Sequence, residues 1–398
     1  MSEVSQHTQT ASCLDVLIVG AGFGGVAAAI KLRERGVTNF RVYEKSAGLG
    51  GTWWHNTYPG AACDIASHLY SYSFEPNPHW SRKYSPQAEI QAYIEHCADK
   101  YDVRKHIQLN TAVSGIYLQE DCGLWKARLS SGDEVEARHV IVCTGGLHTP
   151  AYPDIPGRDD FQGAAMHSAT WDHTVNFEGK RVAVIGSAAS AIQLIPELAK
   201  VASQVDIYQR TPNYIAPRGD REFTDKEKQR FARWPLWHWL YRQSIFLRGE
   251  WILFPVVKSK SRSRWRDRVQ AYILQHIRSS LKDTRTRKLM TPDYPLGCKR
   301  ILIADNFYEA LNRDNVQVIP EGIQRIESHG LITRDGEKHA ADIIVFATGF
   351  DVEQQMYATE MVGTQGISLT QRWAEKPTAY KGAFVPGFPN LYLMSGPN

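Results

Sequence analysis

The 398-residue chain is long enough for two or three domains, and its 43% hydrophobic, 22% charged composition is that of an ordinary globular protein. A net charge of +4 is too mild to argue for nucleic acid, and no apolar run reaches the roughly 18 residues of a membrane span. The polar start MSEVSQHTQTASC lacks the shape of a signal peptide, and six scattered cysteines without a CxxC pair argue against zinc, a disulfide framework or a dithiol centre, so no metal and a cytoplasmic location are expected.

The first element is LDVLIVGAGFGGVAAAIKLRERG. Leu14 to Val19 reads as a buried strand, and VAAAIKL as a helix packed on a sheet. Between them Gly20, Gly22 and Gly25 fit GxGxxG. The first glycine makes the tight turn, the second lets backbone approach a pyrophosphate, and the third lets helix and strand pack closely. Free N–H groups and the helix dipole then hold the phosphates. NFRVYEKS follows as a second strand ending at Glu44, whose carboxylate suits a free ribose diol. A strand before, a helix after and an acid at the next strand end make this a dinucleotide fingerprint rather than a bare glycine turn. It is read as an FAD site.

Further along, HVIVCTGGLHTP is a strand ending in Thr-Gly, and FQGAAMHSATWD (residues 161–172) is a connector with no helical or strand period. KRVAVIGSAASAIQLIPELAK with SQVDIYQRTPNY then repeats the first motif. Gly20 to Glu44 and Gly186 to Arg210 both span 24 positions, so one architectural slot holds Glu in the first copy and Arg in the second. A guanidinium suits a 2′-phosphate, which makes the second site one for NADP. Ala188 and Ala191 stand where Gly22 and Gly25 stand in the first copy. The second of these exchanges is tolerable, whereas Ala188 puts a methyl where backbone should approach phosphate and is expected to weaken affinity.

Residues 221–290 hold 18 Lys/Arg against 6 Asp/Glu, a surplus of 12, which leaves the rest of the chain at −8. Apolar and basic residues interleave there as in amphipathic helices, so a helical insertion with a solvated basic face is predicted, with peripheral membrane association as the alternative. Nucleic acid is not favoured. HAADIIVFATGFD closes the series with another strand ending in Thr-Gly. Two such strands predict one flavin domain, residues 1–152 plus 331–398, split by an inserted NADP domain at 153–330. The fold class is therefore α/β, with two Rossmann-like dinucleotide-binding domains, the NADP domain inserted in the FAD domain, and a helical insertion.

From here on the residues resemble the class B flavoprotein monooxygenases, and within them the Baeyer–Villiger monooxygenases, over essentially the whole chain after the first dozen residues. The connector is similar to the family fingerprint FxGxxxHxxxW followed by Pro or Asp, through Phe161, Gly163, His167, Trp171 and Asp172. GTWWHNTYPGAACD is similar to the signature GxWxxxx(F/Y)PGxxxD, through Gly51, Trp53, Tyr58, Pro59, Gly60 and Asp64. YPLGCKRILIADNFYEALNRDNV resembles the segment bearing the family's active-site Lys-Arg pair, here Lys299 and Arg300. The flavin-containing N/S-oxygenases usually carry Tyr or Phe and then a basic residue where this chain has Trp171-Asp172.

The resemblance implies an FAD- and NADPH-dependent monooxygenase that takes a ketone and O2 and inserts one oxygen beside the carbonyl, through a C4a-peroxyflavin, to give an ester or lactone. It implies Arg300 as the charged donor and Asp64 as the partner that holds it near the flavin. Lys299 would meet the 2′-phosphate beside Arg210. The implied cofactor-binding set adds Lys45, Gly51, Thr52, Trp53, Ser187, Ser190 and Thr211, with Trp53 as part of a lid that excludes water. His167 would organise the connector between the two domains rather than act as a base. The chain stops at PNLYLMSGPN, where the family normally continues, so the usual C-terminal segment is expected to be lacking. An N- or S-oxygenase, or a flavin-binding but catalytically impaired shortened form, are the alternatives.

Overall fold

The computed structural model describes residues 13–258, 263–352 and 358–397, which divide into two units. One comprises Met1–His55, Gln91–Thr149 and Asp351–Asn398, and the other Asn56–Ile90 and Pro150–Phe350. Among the described residues no helix is long and apolar enough to cross a membrane.

The first unit begins with β1 (Leu14–Val19), whose last four residues are buried as the apolar run predicts. Gly20 turns the chain at φ +95°, and α1 (Phe23–Glu34) follows, burying Gly25, Val26, Ala28, Ala29 and Ile30. Side chains this small let a helix lie close on a sheet. β2 (Phe40–Tyr43) returns parallel to β1, with Val19 opposite Tyr43. After α2 (Thr52–His55) and α3 (Gln87–Lys100), β3 (Ile107–Gln108) extends the sheet beside β2. An antiparallel meander of β4 (Val113–Gln119), β5 (Leu124–Leu129) and β6 (Glu134–Val142) then brings β6 parallel to β1, with Val142 opposite Val19.

The second unit repeats this plan. β7 (Ala164–His167) precedes β8 (Arg181–Ile185), α4 (Ala189–Val201) and β9 (Gln204–Tyr208). A short strand β10 (Ile215–Ala216) leads into the helical segment expected over 221–290. It consists of α5 (Asp225–Arg233), α6 (Pro235–Arg248), a π-helical turn Gly249–Leu253, α7 (Phe254–Lys258), α8 (Arg264–Ser280) and α9 (Thr284–Leu289). Thr224 and Glu227 form a reciprocal capping box on α5, and Pro235 opens α6, where no intrahelical N–H bond is lost. β11 (Leu302–Ile303) pairs with β10, and α10 (Phe307–Leu311) and β12 (Val316–Ile319) follow. A three-stranded antiparallel sheet, β13 (Ile323–Glu327), β14 (Gly330–Thr333) and β15 (Lys338–Ala340), precedes β16 (Ile343–Phe346). The parallel sheet runs β12-β9-β8-β16-β7.

Two expectations are corrected here. The 161–172 connector contains a strand, β7, which lies along β16 with Ala164 opposite Ile343 and His167 opposite Phe346. An edge strand needs one partner only, and Ala-Ala-Met-His has no alternation to reveal it. β16, expected in the flavin domain, lies between β8 and β7 with all four residues buried. Residues 331–350 therefore belong to the second unit, as do Asn56–Ile90. A buried apolar run marks a central parallel strand without marking which sheet receives it.

The chain returns to the first sheet through β17 (Glu360–Val362), parallel to β4, then α11 (Leu369–Arg372) and β18 (Leu391–Leu393), parallel to β6. Fully buried Trp125 on β5 pins this return by donating its indole N–H to the Pro389 carbonyl at 2.8 Å.

Candidate active site

The three glycines of the first turn differ in what holds them. A Cβ on Gly20 would lie 2.7 Å from the Cys143 carbonyl oxygen, and one on Gly25 only 1.8 Å from the Gly20 carbonyl oxygen. Protein packing excludes a side chain at both. A Cβ on Gly22 would meet nothing tighter than Gly51 Cα at 3.5 Å. The fold itself therefore leaves room for a methyl at Gly22, and the open space is a cradle for a ligand. Gly22 is also the N-cap of α1 and supplies no side-chain acceptor, so the first-turn N–H groups face that cradle uncapped by a side chain, as phosphate binding requires. Glu44 is buried at the end of β2, and its carboxylate accepts from the Ala21 N–H at 2.7 Å and the Ser46 N–H at 2.9 Å. Lys45 is exposed beside it. The Gly50 N–H donates to the Ala21 carbonyl at 2.9 Å, seating Gly51, Thr52 and buried Trp53 against the same turn. These residues fit a dinucleotide.

In the second turn a Cβ on Gly186 would lie 2.4 Å from the Ala347 carbonyl oxygen. Ala347 ends β16 as Cys143 ends β6, so each Thr-Gly strand serves its own nucleotide fold. Ala188 is the exposed N-cap of α4 and also has no capping side chain. Ala191, in the slot of Gly25, is fully buried in the core. Ser187 is buried, and its carbonyl accepts from Asn213 Nδ2 at 3.1 Å. Half-buried Ser190 lies beside the Tyr58 hydroxyl, while Arg210 stands exposed after β9 with half-buried Thr211 next to it.

Asp64 and Arg300, both in the second unit, are joined. Arg300 Nη2 donates to Asp64 Oδ2 at 2.5 Å across 236 positions of sequence. The Arg300 side chain is 66% exposed and that of Asp64 33%, so the pair adds little to stability. The loop carrying Asp64 is braced from behind by Arg218. Its Nη2 donates to the Cys63 and Tyr84 carbonyls, each at 3.2 Å, and its guanidinium lies 4.9 Å from the Tyr84 ring. Asp305 fixes the Arg218 loop in turn, accepting from the backbone N–H groups of Arg218, Gly219 and Asp220 at 2.8–2.9 Å. Burial drives the neighbouring Cys63 thiol up to about 12 and keeps it inert. On the other side, Tyr58 donates to Gln193 Oε1 at 2.8 Å and Gln193 Nε2 donates to the Ala62 carbonyl at 2.9 Å, clamping the Tyr-Pro-Gly stretch onto α4. Lys299 Nζ lies 5.0 Å from the Tyr294 ring, and the Tyr294 hydroxyl donates to the Pro212 carbonyl at 2.9 Å. Lys299 is thus linked through Tyr294 to the loop that bears Arg210 and Thr211.

The connector residues form an edge of the second unit. Half-buried Phe161 packs on the core behind β16, and a Cβ on Gly163 would lie 2.3 Å from the Asp342 carbonyl oxygen. Trp171 stacks on Phe177 at 5.2 Å, and Asp172 accepts from the N–H and hydroxyl of Thr174, which hold its carboxyl below the usual range. His167 is fully buried, and its Nδ1 accepts from the Ala169 N–H at 3.0 Å. Its Nε2 is turned towards the Gly349 backbone without closing a full hydrogen bond. Burial holds the imidazole down at about 4, with the Gly349 backbone opposing. A group this far below its ordinary 6.5 binds its proton more weakly folded than unfolded. Stability is therefore intact above pH 6.5 and falls as pH drops towards 4. Burial pushes His68 to about 3 and His148 to about 4, so both act in the same sense. Urea midpoints are expected to fall from pH 7 to pH 5, and His167→Gln to flatten that slope. An unchanged slope would mean that His167 is not one of the linked groups.

Several residues at these sites carry no sequence signal. Gln193, Arg218 and Asp305 are ordinary residue types outside any quoted motif position. The His55 and His148 rings stack at 5.5 Å in the first unit, 93 positions apart in sequence. Trp53 and Asp64 share one signature yet belong to different units. A hollow of about 400 Å³ lined by Lys282, Asp305, Tyr308 and Arg313 contains none of the residues predicted to bind or react.

The family model of the pyridine nucleotide-disulphide oxidoreductases matches residues 17–223. A Baeyer–Villiger monooxygenase of Pseudomonas aeruginosa is 42% identical over 385 residues, covering 96% of this chain and 72% of that protein. Among solved structures, an oxidized steroid monooxygenase bound to NADP is similar with TM-score 0.87 at 34% identity, over 97% of this chain and 81% of that one. The OTEMO complex with FAD and NADP is similar with TM-score 0.84 at 29% identity, over 96% and 80%.

Proposed function

This chain belongs to the Baeyer–Villiger monooxygenase family, and from that premise we propose that Arg300 is the cation serving oxygen insertion beside a ketone carbonyl and that Asp64 positions it. The protein is an NADPH-dependent flavoprotein monooxygenase with FAD and NADP(H) as cofactors. Hydride transfer and activation of O2 are what those cofactors supply when bound. Binding, orientation and charge compensation fall to the chain.

Gly22 and the start of α1 hold the FAD pyrophosphate on the turn that Gly20 and Gly25 allow, Glu44 takes the ribose, and Lys45, Gly51 and Thr52 complete the cradle. Trp53 excludes water from the reacting edge. Gly186, Ser187 and Ser190 hold the NADP phosphates at α4, while Arg210, Thr211 and Lys299 take the 2′-phosphate. Phe161, Gly163, His167, Trp171 and Asp172 organise the connector. Turning a ketone into an ester builds negative charge on oxygen. A guanidinium stays protonated at every working pH, so Arg300 meets that charge without first acquiring a proton.

The observation that carries this reading is the Asp64–Arg300 contact, which closes between two motifs lying far apart in sequence. A product panel tests it. Esters or lactones from ketones are expected, and sulfoxides alone from matched sulfides would favour the N/S-oxygenase reading. The cofactor assignment has its own test. Arg210→Ala is expected to raise KM for NADPH roughly 10–100-fold, the worth of a charge-assisted hydrogen bond, and to leave KM for NADH nearly unchanged. Equal losses with both nucleotides would remove Arg210 from the 2′-phosphate site.

A further inference from the structure

We propose that α6 and the π-helical turn after it form a docking face for the surface of an anionic phospholipid bilayer. The orientation of α6 is fixed by its inward side. His238 Nε2 lies 2.6 Å from His68 Nδ1, and Arg242 donates to the His68 carbonyl at 2.7 Å. What remains outward is largely apolar, with Arg248 and Glu250 also exposed. Leu236, Trp237, Trp239 and Trp251 are each between 46% and 74% exposed. A soluble surface does not ordinarily gather such side chains, and their clustering marks an interaction site.

Two features choose the partner. The first is charge: residues 221–290 carry a surplus of 12 positive charges on a chain otherwise at −8. Six acidic residues, Glu222, Asp225, Glu227, Glu250, Asp267 and Asp283, stand against the 18 basic ones there, and Glu227 is already paired with Arg221. The second is how cation and ring are combined. The Arg230 guanidinium lies 5.5 Å from the Trp237 ring, and that of Arg233 5.6 Å from the Trp234 ring. Indole prefers the boundary between headgroups and acyl chains, and a guanidinium stacked beside it is placed to pair with lipid phosphate. An interfacial helix is expected to combine an apolar surface with such a basic rim. A solvated basic face would need no tryptophan, and a nucleic-acid surface would need no exposed Leu236.

The test uses the FAD-loaded full chain sedimented with phosphatidylcholine vesicles, with and without phosphatidylglycerol, at low and high salt. Binding is expected only with phosphatidylglycerol and is weakened by salt. Arg230→Glu with Arg233→Glu should lower partition by about 25-fold or more, at roughly fivefold per lost charge. Trp237→Glu with Trp251→Glu should abolish binding while FAD content, circular dichroism and turnover of a water-soluble ketone stay parental. Quenching of tryptophan fluorescence by brominated lipid gives a readout on the unaltered chain, should a variant fail to fold. Absence of both sedimentation and quenching overturns the proposal. So does self-association, lost in the tryptophan variant, without vesicle binding, because the face would then join two copies of this chain.

Discussion

Arg300→Ala is expected to lower ketone oxygenation about 10²–10³-fold, the typical loss when one fixed donor to a developing oxyanion is removed. FAD content and the rate of flavin reduction by NADPH should stay near parental values. The asymmetry follows from where the side chain sits. Arg300 is 66% exposed and pairs with Asp64, so truncation opens no core cavity and leaves that carboxylate without its partner. Both proposed cradles are built from other residues, so binding and reduction are expected not to depend on it. Arg300→Lys keeps the charge and loses the planar fork, and should fall between parent and alanine variant. Asp64→Ala keeps the guanidinium and loses its anchor, and should cost less than Arg300→Ala. Stopped-flow reduction and ester quantification on the same preparations separate the steps. Ester formation at parental rates in Arg300→Ala would sink the assigned role.

The parts legible from sequence are those where a backbone constraint forces a residue type. Gly20 and Gly186 adopt φ of +95° and +111° beneath a neighbouring carbonyl, so both turns announce themselves. Glu44 and Arg210 follow by equal spacing. The Asp64–Arg300 pair was legible only through resemblance, because an aspartate in a loop and a lysine-arginine pair at a strand start have ordinary structural uses. β16 lies outside the flavin domain expected for it, for a physical reason. Two strands ending in Thr-Gly read as parts of one domain, whereas each lies beside the first strand of its own nucleotide fold, Cys143 against Gly20 and Ala347 against Gly186. Pattern reveals that a strand is buried, and only pairing reveals by whom. Arg218 and Gln193 stayed invisible because their work is done on backbone carbonyls and a tyrosine hydroxyl brought close by folding.

Gly25→Ala and Gly22→Ala are expected to fail in different ways, although both alter one fingerprint. The alanine methyl at position 25 would lie 1.8 Å from the Gly20 carbonyl oxygen, so α1 must move off β1. Overpacking of that kind should cost roughly 3 kcal/mol or more and yield a destabilised, flavin-free protein. At position 22 the methyl meets only Gly51 Cα at 3.5 Å, an ordinary contact. The apoprotein should melt as the parent does, while FAD affinity drops roughly 10–100-fold as the methyl displaces phosphate from the α1 N–H groups. The second fold already carries this experiment. Ala191 fills the slot of Gly25 inside a core that accommodates it, whereas Ala188 occupies the slot of Gly22 at the exposed start of α4. Ala188→Gly is therefore expected to tighten NADP binding without raising stability, since glycine supplies no packing. Thermal melts of apoprotein and titrations with each nucleotide distinguish the cases. If Gly22→Ala destabilised the apoprotein as much as Gly25→Ala, the space beside Gly22 would belong to the fold, and the cradle would have to be sought elsewhere.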